Sequence, residues 1–170
     1  FIEEVASREL DKTFQLLPQP QSIELTSGKG INYWELSYIL SSDTTSIPIL
    51  GDMLNKLPRC PRKGKPIRLQ LTSQHVPASP EGYMMEINEK GVCISARTMT
   101  GIFYGCQTLE QLMEDSRDFN ILIPAMLIID YPAISYRAVH FDVKHHLDRM
   151  EYYYQEIDKL ARYKINAVIW

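Results

Sequence analysis

From residue 18 to about 131 the chain alternates short apolar and polar runs between turn signals. "SIEL" (22–25), "NYWELSYIL" (32–40) and "IRLQLT" (67–72) read as strands. "YMMEI" and "VCISA" flank "NEKG" as a β-hairpin, with Gly91 available for the positive φ that such a loop commonly needs. Two stretches switch to helical spacing. "IPILGDMLNKL" (47–57) places Ile47, Leu50, Leu54 and Leu57 on one side, and "TMTGIFYGCQTLEQLMED" (98–115) does so with Ile102, Cys106, Leu109 and Met113. Gly101 and Gly105 stand one turn apart near the start of the second helix, where the missing Cβ atoms predict close approach to a sheet or loop. A phosphate-cradling loop needs closely spaced glycines after a strand and usually a Lys-Ser/Thr pair, and neither is present. Strands and hairpins interleaved with two helices predict an α+β layer around a mainly antiparallel sheet.

After "DYPAISY" the pattern changes. "RAVHFDV" (137–143) alternates, with Val139, Phe141 and Val143 on one side and Ala138, His140 and Asp142 on the other. A helix follows over "DRMEYYYQEIDKLARYK", where Asp148 and Glu151 have capping-box spacing and Met150, Tyr153, Ile157, Leu160 and Ala161 form an apolar stripe. The apolar strand "INAVIW" comes next. Strand, crossover helix and strand predict one βαβ unit with parallel strands. Such a unit cannot cover its own apolar surfaces, and "KHHLD" lacks the glycine fingerprint of a dinucleotide fold. The simplest completion is a (β/α)₈ barrel cut after its second strand, with Val139, Phe141, Ile165, Val168 and Ile169 left bare and prone to self-association.

Composition narrows the function classes. With 45% hydrophobic and 23% charged residues among 170, the chain has the make-up of a globular protein, and its net charge of −3 gives no field for nucleic acid. The basic cluster "PRCPRKGKP" (58–66) reads as a solvated loop, with anion binding as the alternative. The longest apolar run, "ILIPAMLII" (121–129), is interrupted by Pro124 and is far short of a membrane span. Cys60, Cys93 and Cys106 lack the CxxC spacing of zinc or thiol-redox sites, and Cys93 and Cys106 read as small core residues. No GxSxG elbow is present. Tyr152, Tyr153 and Tyr154 resemble a carbohydrate platform on paper, but successive helical residues point about 100° apart, so packing explains them better.

Four segments in order, "LLPQPQSIELTSG", "GIFYGCQTLEQLM", "IPAMLIIDYPAISYRAVHFDV" and "LARYKINAVIW", resemble the N-terminal domain and barrel entrance of family 20 glycoside hydrolases, the β-N-acetylhexosaminidases. The resemblance covers about residues 15–170. It implies an N-terminal extension (1–17), an α+β domain with both helices on one face of its sheet (18–132), and the first βα and second strand of a truncated catalytic TIM barrel (133–170). It also implies a parent enzyme that removes terminal N-acetylglucosamine or N-acetylgalactosamine with retention. The substrate's acetamido oxygen attacks the anomeric carbon, a Glu serves as general acid and then base, and a neighbouring Asp orients the acetamide. That acidic pair is expected beyond Trp170, so no catalytic residue is assigned in this chain and the piece alone is expected to be inactive.

One part of the sugar site falls within the sequence. Many family members carry Asp-x-x-Arg-His at the end of the first barrel strand; here Asp142 and His146 match, and His145 replaces the arginine. An imidazole cannot grip two vicinal hydroxyls as a guanidinium fork does, so recognition must differ in detail. Lys144 shares strand parity with His140 and Asp142 and is a candidate donor to a sugar hydroxyl; an Asp-x-Lys ending also resembles the hexosaminidase D branch. The alternative for Asp142 is a structural ion pair within the barrel. Two adjacent histidines point apart on extended chain and have no evident third ligand, so no metal and no cofactor are expected. Arg137, at the start of the strand, is expected to serve stability. The expected partner is a glycan, with no nucleic acid and no membrane span. The compartment stays open between a trimmed chain and an extracytoplasmic, processed one, since the sequence begins at Phe1. The competing functional reading is a non-catalytic accessory domain joined to a family 84-like barrel.

Overall fold

The computed structural model describes residues 10, 12–41, 64–144 and 147–170. The first predicted helix (47–57) and Cys60 lie outside the described residues, as do His145 and His146. The chain divides into two compact units, Phe1–Tyr131 and Pro132–Trp170.

In the first unit, β1 (Ser22–Leu25), β2 (Leu36–Ser41), β3 (Lys65–Leu71), β4 (Tyr83–Asn88), β5 (Gly91–Ala96) and β6 (Met126–Asp130) form one sheet in the order β1-β6-β4-β5-β3-β2. The sheet is mixed where a mainly antiparallel one was expected. The β1–β6, β6–β4 and β4–β5 pairs are antiparallel, whereas β3 runs parallel to both β5 and β2. Alternation of apolar and polar residues marks which side of a strand is buried but carries no information on its direction.

Register turns that alternation into layers. Met126, Ile87, Val92 and Ile67 form one row across the sheet, and Ile128, Met85, Ile94 and Leu69 the next. All eight are buried, and on this face lies α1 (Met99–Phe119), crossing β5, β4 and β3. Its predicted stripe of Ile102, Cys106, Leu109 and Met113 is buried as expected. Cys106 is a core residue, its thiol pushed up by burial; Cys93 is only half-buried, on the opposite face of β5, because strand parity turns it away from Ile94.

The helix ends are set locally. Thr98 caps the start of α1, its hydroxyl accepting the Gly101 N–H at 3.3 Å. At the other end Asn120 takes the left-handed conformation, and the Asn120 and Ile121 N–H groups reach back to the carbonyls of Arg117 and Ser116, closing the helix four residues beyond the expected stop at 115. Gly101 and Gly105 do let the helix approach the sheet. A Cβ on Gly105 would stand 2.5 Å from Ile94 Cγ2 and 3.2 Å from the Tyr83 ring, and one on Gly101 would strike the Gly82 carbonyl oxygen. Gly91 closes the β4–β5 hairpin with φ +138°, as its sequence position predicted.

Before α1, the chain is strapped along the helix. Phe14 and Leu16 are buried, and the Gln111 side chain pairs with Leu17 as a second peptide would, accepting its N–H and donating to its carbonyl, each at 2.8 Å. The run "NYW" is not strand but a 3₁₀ turn (Tyr33–Glu35), closed by Glu35 Oε2 accepting the Asn32 N–H at 3.1 Å. That bond, with Lys65 3.1 Å away, holds the Glu35 carboxyl below its ordinary range.

A polar cluster is built into this core. The Tyr83 hydroxyl lies 2.6 Å from Thr108 Oγ1, and Tyr83 is paired across the sheet with the buried Asp130, which accepts the Gln21 N–H. Burial first, and the Asp130 charge second, push the Tyr83 hydroxyl well above its ordinary value. A raised folded-state value stabilises the fold fully below the unfolded-state value near 10, and that contribution is lost as pH rises above it. Above about pH 10 the unfolded chain has released the Tyr83 proton and the native one keeps it, so stability falls by about 1.4 kcal/mol per pH unit for this group. In Tyr83→Phe the alkaline fall in stability is expected to be shallower by that amount, as read from denaturant midpoints at several pH values. An unchanged slope would show that Tyr83 does not titrate with unfolding.

In the second unit, β7 (Ala138–His140) pairs parallel with β8 (Ala167–Ile169) across α2 (Met150–Arg162), giving the predicted βαβ order. The expected capping box does not form. Arg149, not Asp148, occupies the cap, and the Asp148 N–H is bonded to Tyr153 instead. Tyr153 is the one buried residue of the predicted stripe, whereas Met150 and Ile157 are exposed.

Candidate functional site

The candidate site is the C-terminal end of β7, where a parallel strand hands its residues to a connecting loop. Residues 138 to 144 alternate between exposed and half-buried, with Ala138, His140, Asp142 and Lys144 on the exposed side. Pairing carries one step beyond β7, as the Phe141 N–H reaches the Ile169 carbonyl at 2.9 Å. There the chain turns. The Val143 N–H bonds the Phe141 carbonyl at 3.0 Å, closing a three-residue turn on Asp142. Asp142 Oδ1 accepts the Lys144 N–H at 3.2 Å, an Asx-type bond that fixes the carboxylate against its own backbone. Lys144 therefore lies beyond the strand, within this turn.

Asp142 and Lys144 are both exposed and are joined through the Lys144 main-chain N–H; by residue type, the carboxylate can accept from a hydroxyl group and the ammonium can donate to one. His140 is exposed on the same side of the strand. Tyr153, Phe141 and Trp170 lie behind, with ring centroids 5.2–5.6 Å apart. Sequence pattern places Tyr153 on the apolar stripe of the helix but carries no sign that its ring meets Phe141 and Trp170. Among the described residues, no group of three or more His, Cys, Asp and Glu side chains gathers as metal ligands do, and no helix is long and apolar enough to cross a membrane.

The opposite end of the same strands is stitched by polar bonds. Arg137 Nε donates to the Lys164 carbonyl at 2.7 Å and Nη1 to the Ile134 carbonyl at 2.6 Å. The Asn166 side chain accepts the Arg137 N–H at 2.9 Å and donates to the Ser135 carbonyl at 2.7 Å. Helix α2 delivers the chain to this point through a left-handed Lys164, with the Lys164 and Ile165 N–H groups returning to the carbonyls of Ala161 and Leu160.

Known proteins share both sequence and shape with this chain. A β-hexosaminidase of Porphyromonas gingivalis (strain ATCC BAA-308 / W83) is 37% identical over 101 residues, which are 56% of this chain and 13% of that protein. A β-N-acetylhexosaminidase of Cellulomonas fimi is 27% identical over 169 residues, 90% of this chain and 33% of that one. The solved GH20 β-N-acetylhexosaminidase of Streptomyces coelicolor A3(2) superimposes with a TM-score of 0.71 at 26% identity, covering 92% of this chain and 34% of that one. The chain therefore spans about a third or less of the length of the relatives it matches. The family model described as glycosyl hydrolase family 20, domain 2, matches residues 13–131, nearly the whole first unit after its opening residues, and the chain belongs to glycosyl hydrolase family 20.

Proposed function

We propose that the protein is a retaining exo-β-N-acetylhexosaminidase, releasing terminal N-acetylglucosamine or N-acetylgalactosamine by substrate-assisted catalysis. The observation that carries this reading is the family match over the first unit, continued by likeness to solved GH20 enzymes over 92% of the chain. In this reading β7, α2 and β8 are the first strand, first helix and second strand of a catalytic barrel, and the end of β7 lies at its substrate-binding face. Asp142, Lys144, His145 and His146 contact the terminal sugar. Asp142 accepts from a hydroxyl and Lys144 donates to one, replacing a guanidinium fork with two separate groups. The general-acid Glu and the Asp that orients the acetamide are assigned outside these 170 residues, and the reaction requires no cofactor. The match to family 20 gives no support to the alternative of an accessory domain joined to a family 84-like barrel.

The test is hydrolysis of a chromogenic aryl N-acetyl-β-hexosaminide by the full-length protein, with the configuration of the first-released sugar followed by NMR. Release of the β-anomer is expected. No hydrolysis, or release of the α-anomer, would overturn the proposal.

A further inference from the structure

Helix α1 reads the segment before β1 through its main chain. Phe14 and Leu16 are buried while Gln15 and Leu17 are exposed, the period-two pattern of an extended segment. Gln111 Oε1 accepts the Leu17 N–H and Gln111 Nε2 donates to the Leu17 carbonyl, each at 2.8 Å. Asp115 Oδ2 accepts the Gln15 N–H, also at 2.8 Å. Gln111 and Asp115 stand four residues apart on the helix, a rise of about 6 Å. Alternate N–H groups of an extended chain repeat every ~6.6 Å, so the two side chains match main-chain groups two residues apart. Residue 15 meets residue 115 and residue 17 meets residue 111, so the segment runs antiparallel to the helix, which takes the place of a neighbouring strand.

We propose that this side of α1 is a peptide-binding site, filled in the intact protein by residues 14–17 and able to take the same segment supplied as a separate peptide. The class of ligand follows from the contacts. Its main chain is extended, with free N–H groups at two alternate residues, and the residue before each of them is large and apolar, as Phe14 and Leu16 are. The side chains at 15 and 17 are exposed and carry no such requirement. Main-chain hydrogen bonds then supply affinity, and the alternate buried side chains supply selectivity.

The test uses the full-length protein carrying Phe14→Asp and Leu16→Asp, which vacates the site, and a fluorescent peptide of residues 12–19. Binding that saturates below about 1 mM is expected by anisotropy. Methylating the Gln15 and Leu17 nitrogens of the peptide is expected to weaken binding at least about tenfold, since two bonds are lost and a buried acceptor is left unpaired. Peptides with Gln15→Ala or Leu17→Ala are expected to bind within about two-fold of the parent. No saturable binding to the folded variant, or equal binding of the methylated peptide, would overturn the proposal. A second measurement leaves the segment in place. In the otherwise unchanged full-length protein, Asp115→Ala is expected to quicken exchange of the Gln15 amide hydrogen about five-fold, with the Met85 and Ile94 amides of the sheet unaffected. Unchanged Gln15 exchange would overturn the reading of the segment by its main chain.

Discussion

Gly101→Val is expected to destabilise the first unit by about 2–3 kcal/mol, the larger part of the range for overpacking a tight contact. A Cβ at this position would collide with the Gly82 carbonyl oxygen and lie 2.7 Å from Ala96 Cβ. Both obstacles are fixed to backbone, one in the chain leading into β4 and the other at the end of β5, so no side-chain rotation relieves the clash. The competing effect has the opposite sign, because replacing a helical glycine gains up to about 1 kcal/mol of helix propensity, and less for a β-branched residue. Sterics therefore win. A lowered denaturant midpoint by circular dichroism is the expected result, alongside a near-normal Met99→Ala at the exposed start of the helix. Equal midpoints for Gly101→Val and wild type would mean that α1 does not lie so close to the sheet.

Lys144→Ala is expected to lower kcat/KM for an aryl N-acetyl-β-hexosaminide in the full-length protein by roughly ten- to a hundredfold, the range for a hydrogen bond with one charged partner. The side chain is exposed and its backbone is held by Asp142, so truncation is expected to leave stability within about 0.5 kcal/mol of wild type. A large kinetic effect with a small thermodynamic one is the signature of a residue that touches substrate. An unchanged kcat/KM would remove Lys144 from the site and leave Asp142 as a turn-forming residue.

Side-chain period was the best guide to what the sequence encodes. The stripe through Ile102, Cys106, Leu109 and Met113 marked α1, and Gly91 marked the hairpin, because each feature depends on contacts a few residues apart. The parallel placement of β3 beside β5 and β2 was not legible, since strand direction is decided by connections rather than by alternation. Aromatic residues misled at Tyr33 and Trp34, which have strand-like character but sit in a 3₁₀ turn; the Asn32 and Glu35 spacing was the available sign. The same spacing at Asp148 and Glu151 pointed to a cap that does not form, because a tyrosine hydroxyl took the N–H concerned. At the candidate site, Asp142 and Lys144 were visible as residue types. The turn that joins them depends on where strand pairing stops, and that is set by Ile169, twenty-eight positions after Phe141.

The bonds that Arg137 and Asn166 make at the far end of β7 and β8 separate the fastening of the strands from the candidate site. Strand alignment is anchored at the end away from Asp142 and Lys144, so side chains just past Phe141 can change without unfastening the two strands. Side-chain exchanges at Asp142 and Lys144 are therefore expected to leave the pairing of β7 with β8 intact.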